Sequence, residues 1–218
     1  MNKPRIAVVG IPGKWSTEIL ADRLEEQTGF RAVIDMADVV ADLTTGQVAA
    51  GDLILYDLDG IVVKKISEIY APAAEDRIHL LGYLESYGVK IFSPPKSIDE
   101  LINRLSGTLA LRKNDIPMPK TKITESIEEA IKAVRAFGEV VLKPLYSTKA
   151  RGMIVLTSEM SDSELETELT RYQADNQLFY IQKKANLSGR DLGMVFIGGE
   201  YSCTYARVGS GDSWNTTI

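Results

Sequence analysis

Short apolar runs separated by helix-spaced segments dominate the first 95 or so residues, and this alternation constrains the fold more than any other feature. Arg5 to Gly10 (RIAVVG), Arg31 to Asp35 (RAVID), Leu53 to Tyr56 (LILY) and Lys90 to Ser93 (KIFS) read as short strands. Between them lie a helix expected to be capped by Ser16, with Ile19, Leu20 and Leu24 on one face, and a second over residues 72–87 with Ile78, Leu81 and Leu84 aligned. Strands alternating with helices favour a parallel sheet covered on both faces. Pro94-Pro95 closes this α/β unit.

The pattern then changes. Ser97-Ile-Asp-Glu100 reads as a capping box opening one helix with Ile98, Leu101, Ile102 and Leu105 on a face. Ile116-Pro-Met-Pro119 ends it, since two prolines so close cannot continue a helix. Ser126-Ile-Glu-Glu129 and Ser161-Asp-Ser-Glu164 open two further helices. Residues 140–145 (VVLKPL) and 153–156 (MIVL) are strands around a polar loop. Three more strand-like runs follow at 178–182, 191–197 and 200–207, with Gly198-Gly199 as the hairpin turn between the last two. The expected fold is α/β, passing to α+β and then to an antiparallel sheet.

Composition excludes several chemistries. A net charge of −5 without a basic block lacks the footprint of a nucleic-acid binder. One cysteine, Cys203, and one histidine, His79, cannot build a disulfide within the chain or a Cys/His zinc site, and they leave Ser-His-Asp and Cys-His chemistry little to work with. No apolar run approaches the roughly 20 residues of a membrane span. With no leader pattern at Met1-Asn2-Lys3-Pro4, a cytoplasmic protein is expected.

Phosphoryl transfer suits the residues that remain, because positioning and positive charge carry most of it. Gly10-Ile-Pro-Gly13-Lys14-Trp-Ser16 has two residues between its glycines where a phosphate loop needs four, and its proline removes a donor. A loop facing the carboxyl edge of the sheet and open to a non-nucleotide substrate is the better reading. The stretch from Val141 to Met153 is more informative. Lys143 sits among apolar strand residues, where a charge is costly unless it meets an anion. The loop behind it, with Ser147, Thr148, Lys149, Arg151 and Gly152, offers cations, hydroxyls and amides to a polyphosphate. An edge strand with an outward lysine and a solvated hairpin explains the same spacing. Asp57, Asp59, Lys64 and Lys65 read as a polar loop, and Arg190, Asp191 and Arg207 as an ordinary surface ion pair.

Taken in order, these segments resemble the ATP-grasp superfamily, and within it the RimK-like ligases. The resemblance runs from the first strand through Asn103-Arg104-Leu105, Ile116 to Thr121, VVLKPL and its loop, Ile181-Gln182, Gly189-Arg-Asp191 and Ile197-Gly-Gly-Glu200 to Trp214-Asn-Thr-Thr217. The versions at 146–153 and 214–217 are similar to the GAK-system ATP-grasp proteins. The resemblance implies a pre-ATP-grasp domain over residues 1–95, a linking helix over 96–119, a lid over 120–180 and the start of the larger ATP-grasp half over 181–218.

It also implies roles. Lys143 falls on the lid lysine placed on ATP phosphates, Arg104 on a second phosphate cation, and Ser147 to Gly152 on the mobile loop over the triphosphate. Gln182, Lys183 and Lys184 fall on the hinge whose backbone reads adenine, Asp191 on a nucleotide contact, and Arg207 on a basic residue near the transferred phosphate. Asn215 and Thr216 fall near a further nucleotide contact. The loop has one glycine where relatives have two or three. Lys183 stands where an acidic residue is common, and Gly193 where glutamate ligases commonly carry an arginine, which speaks against glutamate. The implied activity is ATP-dependent joining of a small-molecule or peptide carboxylate to an amine through an acyl phosphate, and a homo-oligomer is among the implied partners. ATP and Mg²⁺ are the implied cofactors, with the metal ligands expected beyond residue 218. A nucleotide-binding module without catalysis is the alternative.

Overall fold

The computed structural model describes residues 3–68, 73–147 and 150–209. The chain divides into two compact units, Met1–Gly107 and Thr108–Ile218. In the first, β1 (Ile6–Val9), α1 (Trp15–Thr28), β2 (Val33–Ile34), β3 (Val39–Asp42), β4 (Gln47–Ala50), β5 (Leu53–Ile54), β6 (Gly60–Val63), α2 (Ala73–Ser86), β7 (Lys90–Phe92) and α3 (Pro95–Ile102) follow one another. Helix α4 (Arg104–Lys113) runs across the boundary between the units.

A parallel sheet of order β2-β1-β6-β7 carries this unit, in register Val8 with Val33, Ala7 with Ile61, and Ile61 with Ile91. Ala7, Val9, Ile34 and Ile61 from the strands meet Ile78, Leu81 and Leu84 from α2 in one core. The α2 stripe therefore packs as its spacing predicts.

Other expectations change. The run at 53–56 divides into β5 and a 3₁₀ turn, and β5 belongs to a separate antiparallel sheet, β3-β4-β5. The parallel strand paired with β1 on that side is β6, which the polar reading of residues 57–65 concealed. Asp59 stands at its entry, with Oδ2 accepting the Arg5 amide at 2.7 Å. At its exit the amides of Lys64 and Lys65 both donate to Val9 O, at 2.8 and 3.2 Å. The charges flank a buried strand and leave only four residues between them.

Helix α1 starts one residue before Ser16, with Lys14 at the cap, and buries Thr17, Ala21 and Thr28 while Ile19 is exposed. The expected linking helix over 96–119 is two helices, α3 and α4. Pro95 opens α3, so Ser97 lies inside its first turn. Asn103 then leaves helical geometry at φ −80° and ψ 114°, and its Oδ1 accepts the amides of Leu105 and Ser106 at the start of α4.

In the second unit come β8 (Thr121–Thr124), α5 (Ile127–Phe137), β9 (Glu139–Leu142), β10 (Ile154–Thr157), α6 (Asp162–Asp175), β11 (Phe179–Lys183), β12 (Arg190–Ile197) and β13 (Glu200–Val208). β8 to β11 form an antiparallel sheet of order β10-β9-β11-β8. Ser126 and Ser161 cap α5 and α6 as predicted, and at Ser161 the capping box is complete in both directions. Ala130, Ala133 and Val134 of α5 and Leu165, Leu169 and Tyr172 of α6 pack on Val140, Leu142, Leu156, Phe179 and Ile181. Alternation puts those strand residues on one face of the sheet. β12 and β13 form a long hairpin turning at Gly198 and Gly199, whose φ values of 61° and 89° suit glycine.

Lys122 on β8 ties this sheet to α5, its Nζ donating to Glu129 Oε2 at 2.7 Å, and Lys132 reaches Oε1 at 2.9 Å. These two bonds, Lys122 first, hold the Glu129 carboxyl at about 2 instead of 4.5. A carboxyl lowered in the folded state adds stability above its unfolded value and loses it as pH falls. Stability is therefore expected to decline between pH 4.5 and about 2 in part through this group. Chemical denaturation across that window should show a shallower decline for Glu129→Gln.

Candidate functional site

Lys143 follows directly on β9, and its amide continues the ladder by donating to Tyr180 O at 3.0 Å. The register pairs Val141 with Gln182, and Gln182 in turn with Thr121. Since Val140, Leu142, Phe179 and Ile181 face the helices, Val141, Lys143, Tyr180, Gln182 and Thr121 occupy the opposite face.

These polar side chains form a connected set. Lys143 Nζ donates to Gln182 Oε1 at 2.6 Å. Gln182 Nε2 donates to Thr121 Oγ1 at 3.0 Å and to the Tyr180 hydroxyl at 3.4 Å. Tyr180 is 3% exposed, and its hydroxyl lies 2.8 Å from Thr108 Oγ1. Lys143 is half-buried, and Gln182 Oε1 is a neutral acceptor for its ammonium.

At the expected hinge, the amides of Lys183 and Lys184 donate to Lys120 O and Glu139 O, at 2.8 and 2.9 Å. Lys184 Nζ also bonds Glu139 at 2.8 Å.

In the loop after Lys143, Ala150 and Gly152 have φ values of 57° and 69°, and a Cβ on Gly152 would approach Pro144 Cγ to 3.1 Å. The single glycine sits at a point where the turn both requires positive φ and leaves little room. Ser147 is half-buried and Arg151 exposed. Thr148, Lys149, Asn215 and Thr216 lie outside the described residues.

Asp191 and Arg207 face each other across the hairpin in a bidentate pair, with Nε to Oδ1 at 2.6 Å and the second bond at 3.1 Å. Asp191 raises the already high pKa of Arg207, which stays charged. Arg104 opens α4 and belongs to the first unit, whereas the other candidates belong to the second. A Cβ on Gly193 would lie 2.4 Å from the Tyr205 ring, which covers the glycine from the partner strand.

The Gly10–Ser16 loop offers little to a phosphate. Gly13 donates its amide to Glu18 Oε1 at 2.6 Å, and this bond, with Arg31, lowers the Glu18 pKa. His79 is exposed, as is Cys203. Among the described residues no three His, Cys, Asp or Glu side chains group as metal ligands. No helix among them is long and apolar enough to cross a membrane.

Thr121 and Tyr180 were not singled out from sequence. The signal was present in the alternation of TKIT and FYIQK, which places them with Gln182 on one face, but only the strand register joins the two segments.

No family model matches the chain. It is 26% identical over 228 residues to the tetrahydromethanopterin:α-L-glutamate ligase of Methanosarcina acetivorans, covering 98% of this chain and 70% of that protein. Its identity to the enzyme of the same name from Methanocaldococcus jannaschii is 31% over 145 residues, 65% of this chain and 49% of that protein. A RimK domain ATP-grasp protein from Sphaerobacter thermophilus shares the fold, with a TM-score of 0.72 at 18% identity over 95% of this chain and 76% of the other. The chain shares the ATP-grasp fold and is similar in sequence to these ligases.

Proposed function

We propose that the whole protein is a RimK-like ligase, akin to the GAK-system proteins, that activates a carboxylate as an acyl phosphate and passes it to an amine. The observation that carries this reading is the Lys143 ammonium held by Gln182 on the sheet face away from the helices. In the reaction a carboxylate oxygen attacks the γ-phosphorus of ATP, and the bond to the β,γ-bridging oxygen breaks to release ADP. The amine then adds to the acyl carbon, loses a proton, and expels inorganic phosphate.

Lys143 binds the phosphates and offsets their charge. Ser147, Arg151 and Gly152, with Thr148 and Lys149, close over the triphosphate. The end of β11 takes the adenine, Asp191 contacts the nucleotide, and Arg104 and Arg207 supply further positive charge. Asn215 and Thr216 add a nucleotide contact. Mg²⁺ would supply charge stabilisation to the transferred phosphate. The compartment proposed is the cytoplasm.

Gly193, covered by Tyr205, provides no cation for a second carboxylate at that position. Glutamate is therefore a poor member of the proposed substrate set. The test is ADP and phosphate release by the whole protein across a panel of acids and amines. The expected result is nucleotide turnover that depends on the acid, a product mass that depends on the amine, and weak turnover with glutamate. ATP binding without turnover on any pair would identify a nucleotide-binding module instead.

A further inference from the structure

We propose that Thr121, supported by Tyr180, is a positioning residue that sets the polarity of the Gln182 amide and thereby holds Lys143 for the nucleotide. This deepens the reading of Lys143 above and rests on it. The two ends of a glutamine amide have nearly the same shape, so only their hydrogen bonds decide which way it points. Around Gln182 that decision is made by Thr121. Its hydroxyl donates to Pro119 O at 2.9 Å, which spends its proton and leaves a lone pair for Gln182 Nε2 at 3.0 Å. The Tyr180 hydroxyl provides a second, longer acceptor at 3.4 Å.

With both acceptors on the Nε2 side, Oε1 faces the Lys143 ammonium at 2.6 Å. Turned over, the amide would set its oxygen against Thr121 Oγ1 and its NH₂ against the ammonium. Two attractive contacts would become repulsive ones. The Pro119 carbonyl thus fixes a proton on Thr121, Thr121 fixes the amide, and the amide fixes the lysine. All of these residues lie in the second unit.

The test uses Thr121→Val, Thr121→Ser, Gln182→Glu and the double variant Gln182→Glu/Thr121→Val in the whole protein. ATP affinity is read by calorimetry, and the Gln182 side-chain amide protons by ¹⁵N-edited NMR without nucleotide. Thr121→Val is expected to weaken ATP binding about tenfold, the scale of one hydrogen bond to a charged group, and to speed exchange of the amide protons. Thr121→Ser keeps the hydroxyl and should bind ATP like wild type. In the Gln182→Glu background the valine should cost less than about twofold, because a carboxylate has no polarity to set.

Equal losses in both backgrounds would show a merely structural role and overturn the proposal. So would amide protons in Thr121→Val that exchange as slowly as in wild type. If Thr121→Val fails to fold, Tyr180→Phe takes its place in the cycle, with an expected loss of about threefold from removal of the longer bond. A slowly exchanging amide together with unchanged ATP affinity in Lys143→Ala would instead remove the reading of Lys143, leaving the hydrogen-bond order intact.

Discussion

Lys143→Ala is expected to weaken ATP binding roughly a hundredfold, a loss of about 2.7 kcal/mol. The side chain is half-buried, and its Nζ donates to the neutral amide oxygen of Gln182. Charge-assisted hydrogen bonds to phosphate oxygens each contribute about 1.5–3 kcal/mol, and partial burial limits screening by salt. Removing the ammonium also leaves Gln182 Oε1 without its donor, which adds to the cost. Calorimetry with ATP and with adenosine separates the causes. Loss confined to ATP supports a phosphate contact, whereas an equal loss for adenosine would mean that the variant disturbs the sheet.

Phe179→Ala is expected to destabilise the second unit by about 3–5 kcal/mol, the usual cost of emptying an aromatic site in a core. Phe179 is 0% exposed, stacks on Tyr172 with ring centroids 6.2 Å apart, and packs among residues from α5, α6, β9 and β10. Set against a typical total of about 5–15 kcal/mol, that loss threatens the fold itself. Its neighbours Tyr180 and Gln182 belong to the Lys143 set, so ATP affinity should fall as well. Urea denaturation would show the loss as a lower midpoint. Phe179→Leu should retain most of the stability, and Tyr201→Ala, on the exposed hairpin, should change it by less than about 0.5 kcal/mol.

The elements that could be read from sequence are those whose signals are local. The caps at Ser126 and Ser161, the α2 stripe and the Gly198-Gly199 turn each lie within a few residues and appear as expected. The misreadings have a common physical origin. β6 is four residues long and flanked by charges that serve its backbone neighbours, so its apolar signal is short although Ile61 is fully buried. The break at Asn103 depends on one side chain accepting two amides, which the apolar periodicity across 98–105 does not reveal.

The candidate site divides in the same way. Lys143 stands out as a charge in an apolar strand, whereas Gln182 enters only through the resemblance, and the structure joins them by a direct bond. Thr121 lies 61 positions from Gln182, and its part in the site emerges only when β8 and β11 pair. The pairing of the Lys183 and Lys184 amides with Lys120 O and Glu139 O likewise depends on contacts distant in sequence.

The Tyr205 ring over Gly193 also bears on how such a hairpin changes over generations. A side chain at position 193 must first displace that ring, so an arginine introduced alone meets a collision. The same arginine after Tyr205 has given way to a small residue meets open space. The order of the two mutations then decides whether that ring has to turn. The contact is with the outer atoms of a half-exposed ring, so a side chain at 193 is accommodated by one rotating neighbour and leaves the strand backbones in place.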